Sequence, residues 1–167
     1  MLFDYDDNDI KSIYSYAKKL ESRTFRDIKK EFDDSGLTYY LNPRDSKPVH
    51  IVKESKTGYT SNSKAKGQLG GFLERYYFGY QPNSHQGADF EKVGIELKQT
   101  CIDLTKKGEY RAGERLSITN ISYKEPVVED FYASHVWEKI KKILLVHYLR
   151  DKSKDRMDYQ IKFVNLF

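Results

Sequence analysis

The segment 94–100 constrains the fold more than any other, because apolar and charged residues alternate along it. Ile95 and Leu97 alternate with Glu96 and Lys98, and side chains two positions apart share one face of a β-strand. The alternation predicts a short strand with two aliphatic side chains on one face and a carboxylate beside an ammonium group on the other. Burying those charges costs free energy unless they are paired or used.

A second acid stands close by in the sequence. Asp89 precedes Glu96 by seven positions, and Gly94 between them predicts two strands joined by a glycine turn. Two acids and a lysine so arranged suit divalent-metal hydrolysis of a phosphodiester. The ordinary alternative is a surface strand on which Glu96 and Lys98 form an ion pair. The motif by itself leaves both interpretations open.

Composition favours one compact domain. The 167 residues include 14 Tyr and 9 Phe, so a small core can bury a large apolar area. The single cysteine, Cys101, excludes an internal disulfide framework, and no Cys/His spacing suggests zinc. The sequence has no run of eighteen apolar residues and no signal-peptide pattern. We therefore expect no membrane span and a cytosolic location.

Charge is unevenly distributed along the chain, although the net charge is only +4. Acidic residues crowd positions 4–9. The carboxyl-terminal third is rich in basic residues, namely Lys139, Lys141, Lys142, Arg150, Lys152, Lys154 and Arg156. This asymmetry suits a polyanionic partner on one face. A mildly basic protein with no nucleic-acid role shows the same feature.

Hydrophobic spacing and turn residues predict a mixed α/β order. Helices are expected over residues 8–21 (capped by Asp7 or Asn8), from the capping residue Thr24 to about residue 32, over 66–78 and over 134–141. Strands are expected at 48–52, around Asp89 and Glu96, and at 115–123, 143–148 and 159–164. Most of 33–65 is rich in Ser, Lys, Gly, Asn and Pro and is predicted to be loop.

Three blocks in this order resemble the MutH-type nucleases. They are residues 66–74 (KGQLGGFLE), the Asp89/Glu96/Lys98 core and residues 134–141 (SHVWEKIK). Residues 113–123 (GERLSITNISY) resemble a stretch that follows the catalytic strand in the GATC-cutting, Sau-type restriction enzymes of that family. The resemblance covers roughly residues 24–32 and 64–164.

The resemblance implies a restriction-endonuclease-like fold of the PD-(D/E)xK kind, an α/β architecture with a mixed central sheet flanked by helices. It implies a Mg²⁺-dependent DNA endonuclease, the catalytic domain of a type II restriction enzyme acting at GATC sites. Two alternatives stay open: a mismatch-repair nicking enzyme of the same family, and a nonenzymatic DNA-binding module of the same fold.

The resemblance also implies roles for particular residues. Asp89, Glu96 and the main-chain carbonyl of Leu97 would bind Mg²⁺, with Glu74 as a further acid that binds a second metal. Lys98 would orient or deprotonate the attacking water and stabilise developing negative charge. Lys139 would act near the scissile phosphate.

Further contacts are expected with double-stranded DNA. Lys66 would touch the DNA backbone, and His135 would contact DNA or cap its helix. His85 is rejected as a ligand, because Mg²⁺ prefers oxygen. Cys101 is interpreted as buried packing, since no partnered base is evident.

The family pattern carries two expectations about assembly. Family members continue into a carboxyl-terminal arm that reads GATC, so residues 1–167 are expected to be a single catalytic domain truncated before that arm and belonging to a longer restriction enzyme. Cutting both strands generally needs two active sites, which suggests dimerisation on DNA.

Overall fold

The structure, a computed structural model, describes residues 3–37, 39–41, 48–50, 69, 71–80, 87–118 and 130–167, with the backbone alone at 39–41 and 48–50. Its elements in chain order are helices α1 (Ile10–Lys18) and α2 (Phe25–Asp34), strands β1 (Tyr39–Leu41) and β2 (Pro48–His50), a π-helix (Glu74–Phe78), strands β3 (Glu96–Leu104) and β4 (Tyr110–Ala112), helix α3 (His135–Ile140), strand β5 (Ile143–Leu149) and strand β6 (Gln160–Leu166). Short 3₁₀ turns precede α3 (Phe131–Ala133) and β6 (Arg156–Asp158).

The two amino-terminal helices begin at side-chain caps. Asp9 accepts hydrogen bonds from the backbone N–H groups of Lys11 and Ser12, so it caps α1 in place of the predicted Asp7 or Asn8. Thr24 caps α2 as predicted, and the Asp27 carboxylate accepts a hydrogen bond from the Thr24 N–H at 2.9 Å. Such reciprocal caps satisfy backbone donors that the first helical turn leaves without partners.

The central sheet has the order β4-β3-β5-β6. Strands β3 and β5 run parallel, whereas the β3–β4 and β5–β6 pairs are antiparallel, so the sheet is mixed, as the predicted fold class requires. Helix α1 packs against β6, and α2 packs against the π-helix. The core between these layers includes the fully buried Ile13, Leu20, Phe25, Ile28, Phe72, Leu144, Val146, Ile161 and Val164. Burial of each such side chain contributes about 1.5–3 kcal/mol.

The strand predicted at 115–123 is wrong over the residues that the structure describes. Residues 115–118 have no strand conformation, and 119–123 lie outside the described residues. Strand β4 (Tyr110–Ala112) pairs with β3 instead, through a turn at Gly108 with φ of 82°. The Gly113 N–H then donates to the Cys101 carbonyl at 2.9 Å, which ends the hairpin against β3.

The helix predicted over 66–78 is observed from Phe72 to Phe78, and its last five residues form the π-helix. Residues 66–68 and 70 lie outside the described part, as do positions 51 and 52 of the strand predicted at 48–52. The helix stops at Gly79, whose φ of 76° suits glycine, and an added Cβ would lie 2.6 Å from the Phe3 ring. Among the described residues, no helix has the length and apolar character needed to cross a membrane.

Candidate active site

A tight turn brings Asp89 beside the first residues of β3. Phe90 and Ile95 form a single antiparallel bridge, and the chain reverses between them through Gly94, which has a φ of 65°. The predicted first strand is thus reduced to this one bridge. The Leu97 N–H donates to the Asp89 carboxylate at 2.8 Å, so Asp89 is fixed directly to the strand that carries Glu96.

Glu96 is the centre of the charged group. It is only 2% exposed, and each of its carboxylate oxygens meets a lysine. Lys98 Nζ lies 2.9 Å from Oε1 and Lys139 Nζ lies 2.9 Å from Oε2. Both lysine side chains are mostly buried, so this is not the exposed ion pair of an ordinary surface strand.

The two lysines reach Glu96 from different elements. Lys98 lies on the same face of β3 as Glu96, as the period-two alternation predicted. In the pairing with β5, Glu96 lies opposite Ile143 and Lys98 lies opposite Leu145. Lys139 comes from α3, the short helix that leads into β5. Because β3 and β5 pair in parallel, the helix that leads into β5 brings Lys139 to Glu96, which lies 43 positions earlier in the sequence.

Two further acids lie in electrostatic range of Glu96. Burial raises the pKa of Glu74 to about 8, with the charges of Asp89 and Glu96 adding to the rise. Burial and the charge of Glu96 raise the pKa of Asp89 to about 6, against the hydrogen bond from Leu97. Strongly perturbed carboxylates grouped in this way favour a functional site. Glu74 also starts the π-helix, a form of helix often found at functional sites.

The donor set fits a hard divalent cation. Glu74, Asp89 and Glu96 offer carboxylate oxygens, which Mg²⁺ prefers, and Leu97 lies between Glu96 and Lys98 with its main chain anchored to Asp89. No three acidic, histidine or cysteine side chains within the described ranges already stand in a metal-binding arrangement.

The remaining candidates lie apart from this group or outside the described residues. His135 is the first residue of α3, but the Ser134 hydroxyl caps that helix by accepting from the Trp137 N–H at 3.2 Å. Lys66 and His85 fall in ranges that the structure does not describe. Cys101 is buried, and burial raises the pKa of its thiol, which suits packing rather than nucleophilic attack.

Sequence reasoning missed Tyr80, which lies beside the acids. Its side chain is 3% exposed, and its pKa is raised by burial and then by the charges of Asp89 and Glu74. Tyr80 is one of 14 tyrosines, and no spacing or motif distinguishes it in the sequence. Only the folded chain shows that it approaches the site.

The mixed sheet flanked by helices, with Asp89, Glu96 and Lys98 grouped at the start of β3, is the arrangement expected of a nuclease of the restriction-endonuclease-like kind. The family model described as DNA mismatch repair enzyme MutH matches residues 78–167, more than half of the chain, and the chain belongs to this family. The match includes Asp89, Glu96, Lys98 and Lys139, whereas Glu74 lies before it. None of the curated proteins compared with the chain matches it. Membership of this family implies that the substrate is DNA.

Proposed function

We propose that the chain is a Mg²⁺-dependent DNA endonuclease, the catalytic part of a type II restriction enzyme that cuts at GATC sites. The observation that carries the proposal is the buried Glu96 carboxylate, bracketed by Lys98 and Lys139 and flanked by Asp89. A charge cluster at this depth is costly to maintain for stability alone. A role of the cluster in phosphodiester hydrolysis accounts for that cost.

In this proposal Asp89, Glu96, the Leu97 carbonyl and Glu74 hold the metal. When bound there, Mg²⁺ supplies a more acidic water and positive charge at the reacting phosphate. The raised pKa values of Glu74 and Asp89 fit such a role, because a divalent cation favours the ionised carboxylates that the empty cluster disfavours.

The lysines act on the reacting phosphate. Their ammonium groups, each 2.9 Å from a Glu96 oxygen, place two positive charges where a phosphate beside Glu96 would carry its developing negative charge. Lys98 orients the attacking water, or accepts its proton when the amine is uncharged, and Lys139 contacts the scissile phosphate. We also propose that Lys66 and His135 contact DNA, and that the chain works in the cytosol.

Two-strand cutting implies two active sites, so we propose that the enzyme dimerises on DNA or acts within a longer restriction enzyme. The mismatch-repair nicking enzyme is the second candidate, favoured by the description of the matching family. A nonenzymatic DNA-binding module is the third, and the presence of Asp89, Glu96 and Lys98 speaks against it.

Plasmid cleavage separates the three candidates. Supercoiled plasmid carrying unmethylated GATC sites would be incubated in Mg²⁺ with the unchanged chain, with Glu96→Ala and with Glu109→Ala, which removes an exposed acid on the β3–β4 turn as a control. Discrete linear fragments from the unchanged chain and from Glu109→Ala, but none from Glu96→Ala, support the restriction enzyme. Nicking that needs an added activator supports the repair enzyme. DNA binding without cleavage under any condition refutes the nuclease.

A further inference from the structure

A small cavity lies behind Asp89, beside the turn that carries it. Its volume is about 20 Å³, and its polar lining comes from Tyr80, Asp89, Asp7, Glu91 and Lys92. Tyr5 and Phe90 supply apolar lining. A cavity needs about 10–15 Å³ to hold a water molecule, and that water needs at least two polar partners. This cavity has room for one water and has polar groups to hold it.

Most of the polar lining is already paired. Asp7 and Lys92 form an ion pair at 2.8 Å, and the Tyr5 hydroxyl donates to the Phe78 carbonyl at 2.8 Å. These contacts also fix the amino-terminal segment over the cavity. These lining groups therefore already have partners of their own.

Two other polar groups of the lining are Tyr80 and Asp89. The Tyr80 hydroxyl is buried without a hydrogen-bond partner in the part of the chain that the structure describes. One Asp89 oxygen accepts from the Leu97 N–H, and no donor among the described residues reaches the other. Packing of the Tyr80 ring against Phe90, with centroids 5.5 Å apart, holds the hydroxyl in place. A buried hydroxyl without a partner is costly, so it is expected to find one.

We propose that Tyr80 is a positioning residue for metal binding, whose hydroxyl holds the Asp89 carboxylate through one water molecule in this cavity. The inference rests on the proposed function, in which Asp89 is a metal ligand. Groups behind a metal ligand fix its orientation, and their loss typically weakens metal binding by 10–100-fold. The Leu97 N–H restrains one Asp89 oxygen, and Tyr80 restrains the other.

The test compares Tyr80→Phe with Tyr77→Phe. Each substitution removes one hydroxyl from a buried tyrosine, but the Tyr77 hydroxyl donates to the Tyr16 carbonyl at 2.7 Å, inside the core and away from Asp89. Mn²⁺ affinity of the DNA-free chain would be measured by isothermal titration calorimetry. The denaturation midpoint in urea with EDTA, and the Mg²⁺ concentration for half-maximal plasmid cleavage, would be measured on the same preparations.

We expect Tyr80→Phe to keep the parent's denaturation midpoint, to bind Mn²⁺ about tenfold more weakly and to need about tenfold more Mg²⁺ for cleavage, with the rate at saturating Mg²⁺ little changed. Tyr77→Phe should instead lower the denaturation midpoint and leave the Mn²⁺ affinity unchanged. Parent affinity in Tyr80→Phe would overturn the inference while leaving the nuclease intact. A parent chain that neither binds Mn²⁺ nor cuts DNA would refute the proposed function and the inference with it.

A crystal structure of the unchanged chain gives a second readout that does not depend on any variant folding. An ordered water within hydrogen-bond distance of both the Tyr80 hydroxyl and the Asp89 carboxylate is expected. A Tyr80 hydroxyl that donates to a main-chain carbonyl instead would overturn the inference.

Discussion

Among the carboxyl groups of the described residues, Glu74 is the one whose ionisation should cost the metal-free protein the most stability. Its pKa rises from an ordinary 4.5 to about 8 on folding, chiefly through burial. A raised folded-state pKa stabilises the protein while the group is protonated, and this contribution is lost as pH rises from about 4.5 through 8. Each pKa unit corresponds to about 1.4 kcal/mol. Relative to pH 4.5, the loss reaches about 3 kcal/mol at pH 7 and about 4 kcal/mol above pH 8.

Glu74→Gln tests this prediction, because glutamine keeps the shape of the side chain and cannot ionise. The Glu74 side chain makes no hydrogen bond with the described residues that the amide would break. In EDTA we expect variant and parent to unfold with similar free energies near pH 4.5, and the variant to be more stable by about 3 kcal/mol at pH 7. Urea denaturation at four or five pH values measures the difference, in which the other titrating groups largely cancel.

The control is Glu109→Gln, which neutralises an exposed glutamate on the β3–β4 turn and should give a small difference independent of pH. Saturating Mg²⁺ should shrink the gap between Glu74→Gln and the parent, because bound metal stabilises the ionised carboxylate only where one is present. A gap that stays constant from pH 4.5 to 8, or a parent that gains stability over the variant as pH rises, would refute the electrostatic account of Glu74.

Three other outcomes are expected. Lys98→Ala should cut plasmid at least about a hundredfold more slowly than the parent in single-turnover assays, with DNA affinity in Ca²⁺ little changed; near-normal turnover would remove Lys98 from the mechanism. DNA affinity in Ca²⁺, followed by fluorescence anisotropy, should fall steeply with salt as counterions are released, and a flat response would contradict a phosphate-binding surface. Gly94→Ala should lower the free energy of unfolding in urea by about 1–2 kcal/mol, because its positive φ disfavours alanine; an unchanged value would mean that the turn relaxes freely.

Local chemistry predicted the parts of the fold that depend on neighbours in the sequence. The spacing of Glu96 and Lys98 placed both side chains on one strand face, and the pairing with β5 bears this out. The Thr24 cap followed from a hydroxyl placed before an amphipathic run. In each case the deciding interaction lies within a few residues.

The strand predicted at 115–123 failed at the described residues 115–118 because its outcome depends on distant contacts. Leu116 and Ile118 alternate with polar residues much as a strand would, so periodicity favoured it. The structure pairs β4 with β3 at the preceding residues, and Arg150 holds the end of this hairpin. Its guanidinium donates to Asp103 at 2.9 and 2.7 Å and to the Gly113 carbonyl at 3.0 Å. No local pattern reveals an arginine 37 positions beyond that glycine.

The charge balance of the site connects metal binding with capture of a phosphate. Near pH 7, Glu74 is mostly protonated, so the ionised Asp89 and Glu96 are balanced by the ammonium groups of Lys98 and Lys139. A divalent cation that displaces the Glu74 proton would leave one positive charge in excess. Positive potential in a partly buried site attracts phosphate far more strongly than the same charge in water. The metal-free site would therefore hold the DNA backbone weakly, and metal binding itself would make the site attractive to the scissile phosphate.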